Sequence, residues 1–467
     1  MKRILLTAMM TLAPGLGQQT RTPEIPQIRL DQNYEGSVIS GKVVPGELPL
    51  SLADAISRGL KNNLGGLLSN QDTRSAQAAR WRALSNLLPN LTTRTSATEQ
   101  QVNLAAFGFS GFPGVPAVVG PFSVYDARAF LTQSVLDFNA IDNSRAGSEN
   151  IKAANLSYRN ARDTVVLAVA NLYLQAIAGE SRIASVQAQV NTADALYKQA
   201  VDFKNAGVVP AIEVLRSQVE LQSQQQRLIF YRNEFEKQKL DLARAIGLPP
   251  AQIFRLSDPL PYAPAPPVSL DEALQKAYAS RADYQSAAAR VRAAELTRKA
   301  ARDERLPSLA LNADYGTIGQ RVDSTHGTFS VAGSLRIPIF QGGRVRADVL
   351  QADADLERER AQFEELRGRI DFDLRKAFLD VKSTSDRIEV ARTALQLAEQ
   401  QVGQARDRFA AGVASNIEVV QAQEALASAN ENSISSLYAF NVAKALLARN
   451  LGMVEKSFQQ FLLGVKP

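Results

Sequence analysis

The stretch Phe329-Ser-Val-Ala-Gly-Ser-Leu-Arg-Ile-Pro-Ile339 alternates between two kinds of residue. Phe329, Val331, Gly333, Leu335, Ile337 and Ile339 share one face of an extended chain, and Ser330, Ala332, Ser334 and Arg336 share the other. A period of two marks a strand with one apolar and one polar side. Upstream, Leu309, Leu311, Ala313 and Tyr315 alternate with Asn312 and Asp314, so the two runs read as one β-hairpin over 306–340. In the first half Tyr125, Ala127, Ala129, Leu131 and Val135 alternate with Asp126, Arg128, Thr132 and Ser134. The Thr-rich run Leu91–Leu104 is its weaker partner, in a hairpin over 88–138. Roughly 9–11 residues of tilted strand cross a bilayer core. A soluble sheet packed on a domain core alternates in the same way, so the pattern alone leaves both readings open.

Outward from each hairpin the period lengthens from 2 to 3.6. A helix over 51–86 precedes the first hairpin and one over 269–303 precedes the second. Each opens on a capping-box pattern, Ser51-x-x-Asp54 and Ser269-x-x-Glu272, which satisfies N–H groups of the first turn. Each stops before a proline, Pro89 or Pro307. Helical segments over 141–247 and 343–452 follow the hairpins. Their first arms, to about 205 and 411, would span on the order of 100 Å at 1.5 Å per residue. Ile388, Ala391, Leu395, Ala398, Val402, Ala405 and Phe409 recur at alternating steps of three and four, an a/d seam for coiled-coil packing. Gly207 and Gly412 end the first arms, in the place of a left-handed C-cap.

The chain is written twice. Ser51-Leu-Ala-Asp-Ala55 returns as Ser269-Leu-Asp-Glu-Ala273 and Leu88-Pro-Asn-Leu91 as Leu306-Pro-Ser-Leu309, both 218 positions on. Ala206-Gly-Val-Val-Pro-Ala-Ile-Glu-Val214 returns as Ala411-Gly-Val-Ala-Ser-Asn-Ile-Glu-Val419, and Leu242-Ala-Arg-Ala-Ile-Gly247 as Leu447-Ala-Arg-Asn-Leu-Gly452, both 205 on. The Gly/Pro-rich run Phe107–Pro121 accounts for the lost positions as a loop insertion. The expected organisation is repeat 1 over 51–248, a Pro-rich linker over 249–268 and repeat 2 over 269–452, with an extension at 18–50 and a tail at 453–467. The fold class is mainly α with a small β part, a tandem duplication of helix, β-hairpin and long helical hairpin.

Residues 1–17 carry Lys2 and Arg3, a short apolar core and small residues at Gly15 and Gly17, the pattern of a secretory signal. No cysteine follows to take a lipid anchor. No run reaches the roughly 18 apolar residues of a membrane helix; Val165–Gly179 comes nearest, is interrupted by Asn171 and Gln175, and reads as a buried helix contact. The absence of cysteine excludes disulfides, thiolate metal sites and Cys nucleophiles. The single histidine, His326, lies in the polar turn 321–327 and reads as an exposed loop residue. No Ser/His/Asp set, metal cluster or phosphate loop is present, so the expectation is no enzyme, no cofactor, no metal and no catalytic residue. The net charge is +6, but the basic residues interleave with acids, as in Asp353-Ala-Asp-Leu-Glu-Arg-Glu-Arg360. That is a salt-bridged helix face and not a nucleic-acid surface.

Two hairpins supply only four strands. Unpaired strand edges are too costly in lipid, so only closed barrels span, and bacterial barrels begin at about eight strands. A membrane reading therefore requires several copies, two giving eight strands and three giving twelve. A periplasmic coiled-coil adaptor or scaffold is the alternative; it explains the helices but not two hairpins placed alike in both halves.

The duplicated Ser-Leu-x-x-Ala openings, the Leu-Pro-x-Leu strand starts, Ile337-Pro-Ile-Phe-Gln-Gly-Gly343 and Phe409-Ala-Ala-Gly-Val-Ala-Ser-Asn-Ile-Glu-Val419 resemble the outer-membrane efflux protein family, the TolC-like channel components of tripartite efflux and type I secretion systems. The resemblance covers nearly the whole chain after residue 17. It implies a homotrimer in the outer membrane, with a shared twelve-stranded barrel and a periplasmic α-barrel tunnel. It also implies docking through a periplasmic adaptor (membrane fusion) protein onto an inner-membrane pump, and passive conduction of substrate outward. Leu309, Leu311, Tyr315, Phe329, Val331, Leu335 and Ile337 would then face lipid. Ala206, Gly207, Val208, Ala411, Gly412 and Val413 would be the adaptor-docking tips. Family members carry two acidic ring positions just after the second tip; Glu418 stands at the first and Gln421 at the second, with Glu213 the counterpart of Glu418 in repeat 1. An arginine that latches the entrance in some members is Ala414 here. Glu418 has a second, compatible reading as the N3 residue of a capping box, Ser415-x-x-Glu418. The exported substrate, the cognate pump and adaptor, and the resting state of the duct are not legible.

Overall fold

The computed structural model describes residues 34–455, other than 35, 109–112, 115, 260 and 266–267. The expected leader at 1–17, residues 18–33 of the extension and residues 456–467 of the tail lie outside the described residues. In chain order the elements are β1 (Leu48–Leu50), α1 (Leu52–Asn62), α2 (Leu64–Ser85), β2 (Asn90–Asn103), β3 (Val118–Leu136), α3 (Phe138–Asn205) and α4 (Ala211–Ile246). There follow β4 (Phe254–Leu256), α5 (Leu270–Ser280), α6 (Ala282–Asp303), β5 (Ser308–Gly319), β6 (His326–Arg336), α7 (Arg344–Ala410) and α8 (Asn416–Asn450).

The helices expected over 51–86 and 269–303 are each two helices. The chain turns extended at Asn63 and at Arg281, equivalent positions 218 apart. The Asn63 side chain accepts from Gly65 N at 3.0 Å and so caps the new start. The pair Gly65-Gly66 beside Asn63 was a signal for the first break, and nothing comparable stands at Arg281. At the first openings, Ser51 accepts from Asp54 N, and Ser269 with Glu272 forms the full reciprocal box.

Helix α3 runs 68 residues and α7 67 residues without interruption. The first begins at Phe138, closer to its strand than the 141 expected. In β3 the strand starts at Val118, so the end of the expected loop insertion is paired strand, its Val118 and Val119 lying opposite Asn103 and Val102. His326 is the first residue of β6, paired with Ile318, and not a loop residue; it remains exposed.

A second correction concerns the linker and the extension, which were expected to hold no strand. The three-residue strands β1 and β4 pair in parallel, Leu48 with Phe254 and Leu50 with Leu256. Three residues are too few to show a period. They cross the chain's waist, where Leu50, Leu52, Val165, Val169, Tyr173, Leu242, Ile246, Ile370, Leu374, Leu447 and Leu451 form the main core. The Tyr173 hydroxyl lies 2.8 Å from Leu50 O and 2.9 Å from Asp258 Oδ2. Helix α3 contains a window apolar enough to cross a membrane, two thirds of it buried. Val165–Gly179 is spent in this core.

At the waist Arg162 of the first repeat reaches Glu455, just beyond the end of the second, while Arg281 grips its near neighbour Asp283 at 2.7 Å. Burial pushes the Asp283 carboxyl up, but Arg281 and then Arg449 outweigh it and hold the group below the ordinary carboxylate value.

Candidate functional site

Helices and strands share one lateral order. The larger sheet runs β2-β3-β5-β6. Below it, α2 packs on α3, α3 on α6 and α6 on α7, in the order of the strands they adjoin. Beyond the waist, α4 packs on α3, α3 on α8 and α8 on α7. Away from the waist, each cross-section is thus an open arc of four elements. The exposed large apolar residues of the helices concentrate at the arc ends: Leu68 and Trp81 on α2; Leu215, Val219 and Phe230 on α4; Phe372, Leu379, Val390 and Leu397 on α7. Along α7 they recur at steps of 7, 11 and 7, which keep one helix face, away from the seam that carries Ile388, Ala391, Ala398, Val402, Ala405 and Phe409 into contact with α8.

Directly paired residues share a face of a sheet. Tyr315 pairs with Phe329, Ala313 with Val331, Leu311 with Gly333 and Leu309 with Leu335; on the other side Ala129 pairs with Tyr315 and Leu131 with Ala313. The expected set Leu309, Leu311, Tyr315, Phe329, Val331 and Leu335 therefore stands on one face, and Ile337 follows directly after β6. Tyr315, Phe329, Val331, Leu335 and Ile337 are between 59% and 75% exposed, while Leu309 and Leu311 are half-buried. Polar residues on this face are Gln133, opposite Leu311, which donates to Leu87 O at 2.8 Å, and threonines such as Thr93, Thr95 and Thr317. The opposite face carries Asp126, Arg128, Thr132, Asn312, Asp314, Thr328, Ser330 and Ser334. Arg128 bonds Asp126 at 2.8 Å and Asp314 at 2.6 Å.

At the far end both long helices close on Schellman motifs. Val208 N donates to Phe203 O and Gly207 N to Lys204 O; Val413 N donates to Arg408 O and Gly412 N to Phe409 O. Gly207 and Gly412 have φ of 74° and 72°, the left-handed region that L side chains avoid. Phe203 and Phe409 meet at 5.9 Å between ring centroids, which brings the two tips side by side over a small core of Leu196, Val402, Ala405, Val419 and Ala422. Ala206, Gly207, Val208, Ala411, Gly412 and Val413 are all exposed. Gln421 is also exposed and lines, with Ile212, Leu215, Val219 and Ile417, a groove of about 450 Å³ between α4 and α8.

The capping box expected at Ser415 does not form: that residue makes no side-chain cap bond. The Glu418 carboxylate instead takes Arg408 Nε at 2.9 Å, across the turn. A charge-assisted bond outcompetes the neutral N–H that a cap would supply. Glu213 pairs with Arg216 on its own helix at 2.7 Å. Sequence reasoning passed over Arg408, although its position ten residues before Glu418, across a tight turn, was the available signal. Among the described residues no group of three or more His, Cys, Asp or Glu could hold a metal ion.

The chain thus has an apolar-faced hairpin sheet at one end and paired helical tips at the other. The sequence matches the family described as Outer membrane efflux protein over residues 62–248 and 273–453, most of both repeats, and the chain belongs to that family. It is an outer-membrane transport protein. It is 25% identical to the pyoverdine export outer membrane protein OpmQ of Pseudomonas aeruginosa over 408 residues, 83% of each chain. It is 22% identical to the alkaline protease secretion protein AprF of the same species over 342 residues, 72% of this chain and 71% of that one. The fold is shared with the outer membrane protein VceC of Vibrio cholerae (TM-score 0.74, 20% identity, 86% of this chain and 96% of that one). It is shared also with the Campylobacter jejuni CmeC outer membrane channel (TM-score 0.74, 17% identity, 95% and 98%).

Proposed function

We propose that three copies of this chain close into a continuous duct that carries solutes passively across the periplasm and out through the outer membrane. The observation that carries this reading is the sheet: β2 and β6 have unpaired outer edges, and one face exposes Tyr315, Phe329, Val331, Leu335 and Ile337. In lipid those edges must be paired, and a two-stranded or four-stranded piece closes only by adding copies. The apolar residues at both ends of the helical arc fit the same joining, α7 of one copy against α2 and α4 of the next. Twelve strands and twelve helices per cross-section then enclose one lumen.

In this reading the tips Ala206–Val208 and Ala411–Val413 meet a periplasmic adaptor that links the duct to an inner-membrane pump, and Glu418 and Gln421 lie near the narrow end. Arg408 partly neutralises Glu418, so the acidic ring is weaker than the sequence suggested. The relatives are named for pyoverdine export and alkaline protease secretion, which supports reading the cargo of this duct as a small molecule or a secreted protein.

The test is a mass measurement and a conductance measurement on protein extracted from outer membranes in mild detergent. The expected results are a trimer and discrete pores in a planar bilayer. Recovery as a monomer in buffer without detergent, or a stable dimer, overturns the proposal.

A further inference from the structure

One row runs straight across the polar face of the sheet. Arg94 on β2 pairs with Arg128 on β3, Arg128 with Gly316 on β5, and Gly316 with Thr328 on β6. Two arginines directly opposite each other repel, and the structure resolves this unequally. Arg128 leans across Gly316, where any Cβ would collide with the Arg128 side chain. It reaches Asp126 at 2.8 Å, Asp314 at 2.6 Å and Thr328 Oγ1 at 3.4 Å. Its donors are committed.

Arg94 is exposed and has no carboxylate within ion-pair distance among the described residues. Its guanidinium carbon sits 5.7 Å from the ring centre of Phe130, a bulky apolar residue on this face. That ring pins the guanidinium over the lumenal surface and leaves its fork of N–H donors open. Thr92 and Ser96, two positions to either side on β2, add hydroxyls on the same face.

Closing the barrel does not supply the missing partner. The free edge beside Arg94 would receive β6 of the next copy, whose polar face presents His326, Thr328, Ser330, Ala332, Ser334 and Arg336. None is a carboxylate. We infer that Arg94 is a recognition position in the barrel lumen for oxyanion groups, carboxylate or phosphate, on solutes moving through the duct. A planar guanidinium flanked by hydroxyls matches such groups bidentately. The inference rests on the duct reading. Because Asp126 and Asp314, both bonded to Arg128, bring the sum of charge over these four residues to zero, Arg94 acts by local contact and leaves the bulk ion preference of the pore nearly unchanged.

The experiment uses purified full-length protein in a planar bilayer, with inorganic tripolyphosphate or, separately, citrate added on the extracellular side. Tripolyphosphate and citrate are expected to block the wild-type current. Arg94→Gln is expected to weaken that block about tenfold, the scale of one lost charge-assisted contact, with the potassium chloride conductance retained. Arg94→Lys, which keeps the charge without the fork, is expected to fall between. Block by only one of the two anions narrows the class to that group. Pores that neither anion blocks, or block unmoved in Arg94→Gln, overturn the inference and leave the duct standing. Wild-type protein that forms no pores overturns the duct reading and this one with it.

Discussion

Lys444 is fully buried on α8, where its ammonium donates to Ala263 O at 2.8 Å and lies 4.9 Å from the Phe440 ring centre. Beside it Asn441 donates to Pro261 O, so two polar side chains of one helix hold the strap between the repeats. Burial pushes Lys444 down from its ordinary 10.5 to about 8. Folding thus expels a proton that the unfolded chain keeps between those values. The penalty is fully present below pH 8 and is relieved as pH rises toward 10.5. Wild-type stability is therefore expected to gain on the order of 3 kcal/mol over that window relative to Lys444→Met, read as the difference in denaturant midpoint in detergent. Parallel pH profiles for the two proteins would refute it. The sequence offered Lys444 as one cation among many on a helix. Only the crossing of the strap, itself decided by the pairing of β1 with β4, buries it.

Among elements, the α7–α8 hairpin was the most legible. Its a/d seam is visible as alternating steps of three and four, and Ile388, Ala398, Val402, Ala405 and Phe409 are all buried. What the pattern could not show is that the tip has a core of its own. Phe409 packs on Phe203 from the other repeat, far from the waist cluster. Phe409→Ala removes about 3 kcal/mol or more from a buried aromatic site, and the loss is expected to stay local. Amide exchange over 400–425 should accelerate while 165–179 keeps its protection. Equal acceleration in both would mean that tip and waist unfold as one unit. The break at Arg281 was illegible for a different reason, whereas Gly65-Gly66 stood as an unused signal beside Asn63. Neither Asn63 nor Arg281 forbids a helix, and the chain bends there because α1 and α5 dock on the waist while α2 and α6 line up with the long helices.

Across the whole molecule, the shared order of strands and helices makes the arc ends the decisive surfaces. Within one copy β2 and β6 are separated by two strands, about 14 Å at 4.8 Å per strand, beyond the reach of a disulfide, which needs Cα atoms within about 7 Å. The chain has no cysteine of its own, so a cysteine at Thr93 with a second at Phe329, Val331 or Gly333 reports only contacts between copies. At least one of these pairs is expected to give covalent dimers and trimers on oxidation of outer membranes. Monomer bands for all three would show that the edges do not meet.

The sequence by itself determined the duplication, the hairpins and the long helices, because those rest on periodicity and turn chemistry that act over a few neighbouring residues. It also carried the apolar face of the strands, since alternation is a property of the extended chain. The tertiary structure alone decided that strands and helices keep a common lateral order. It decided as well that Glu418 answers to Arg408 and not to Ser415, and that Arg128 is neutralised while Arg94 is not. Those outcomes depend on which side chains meet once turns close and strands pair, and the partner's position there is set by packing, which periodicity and turn chemistry do not specify.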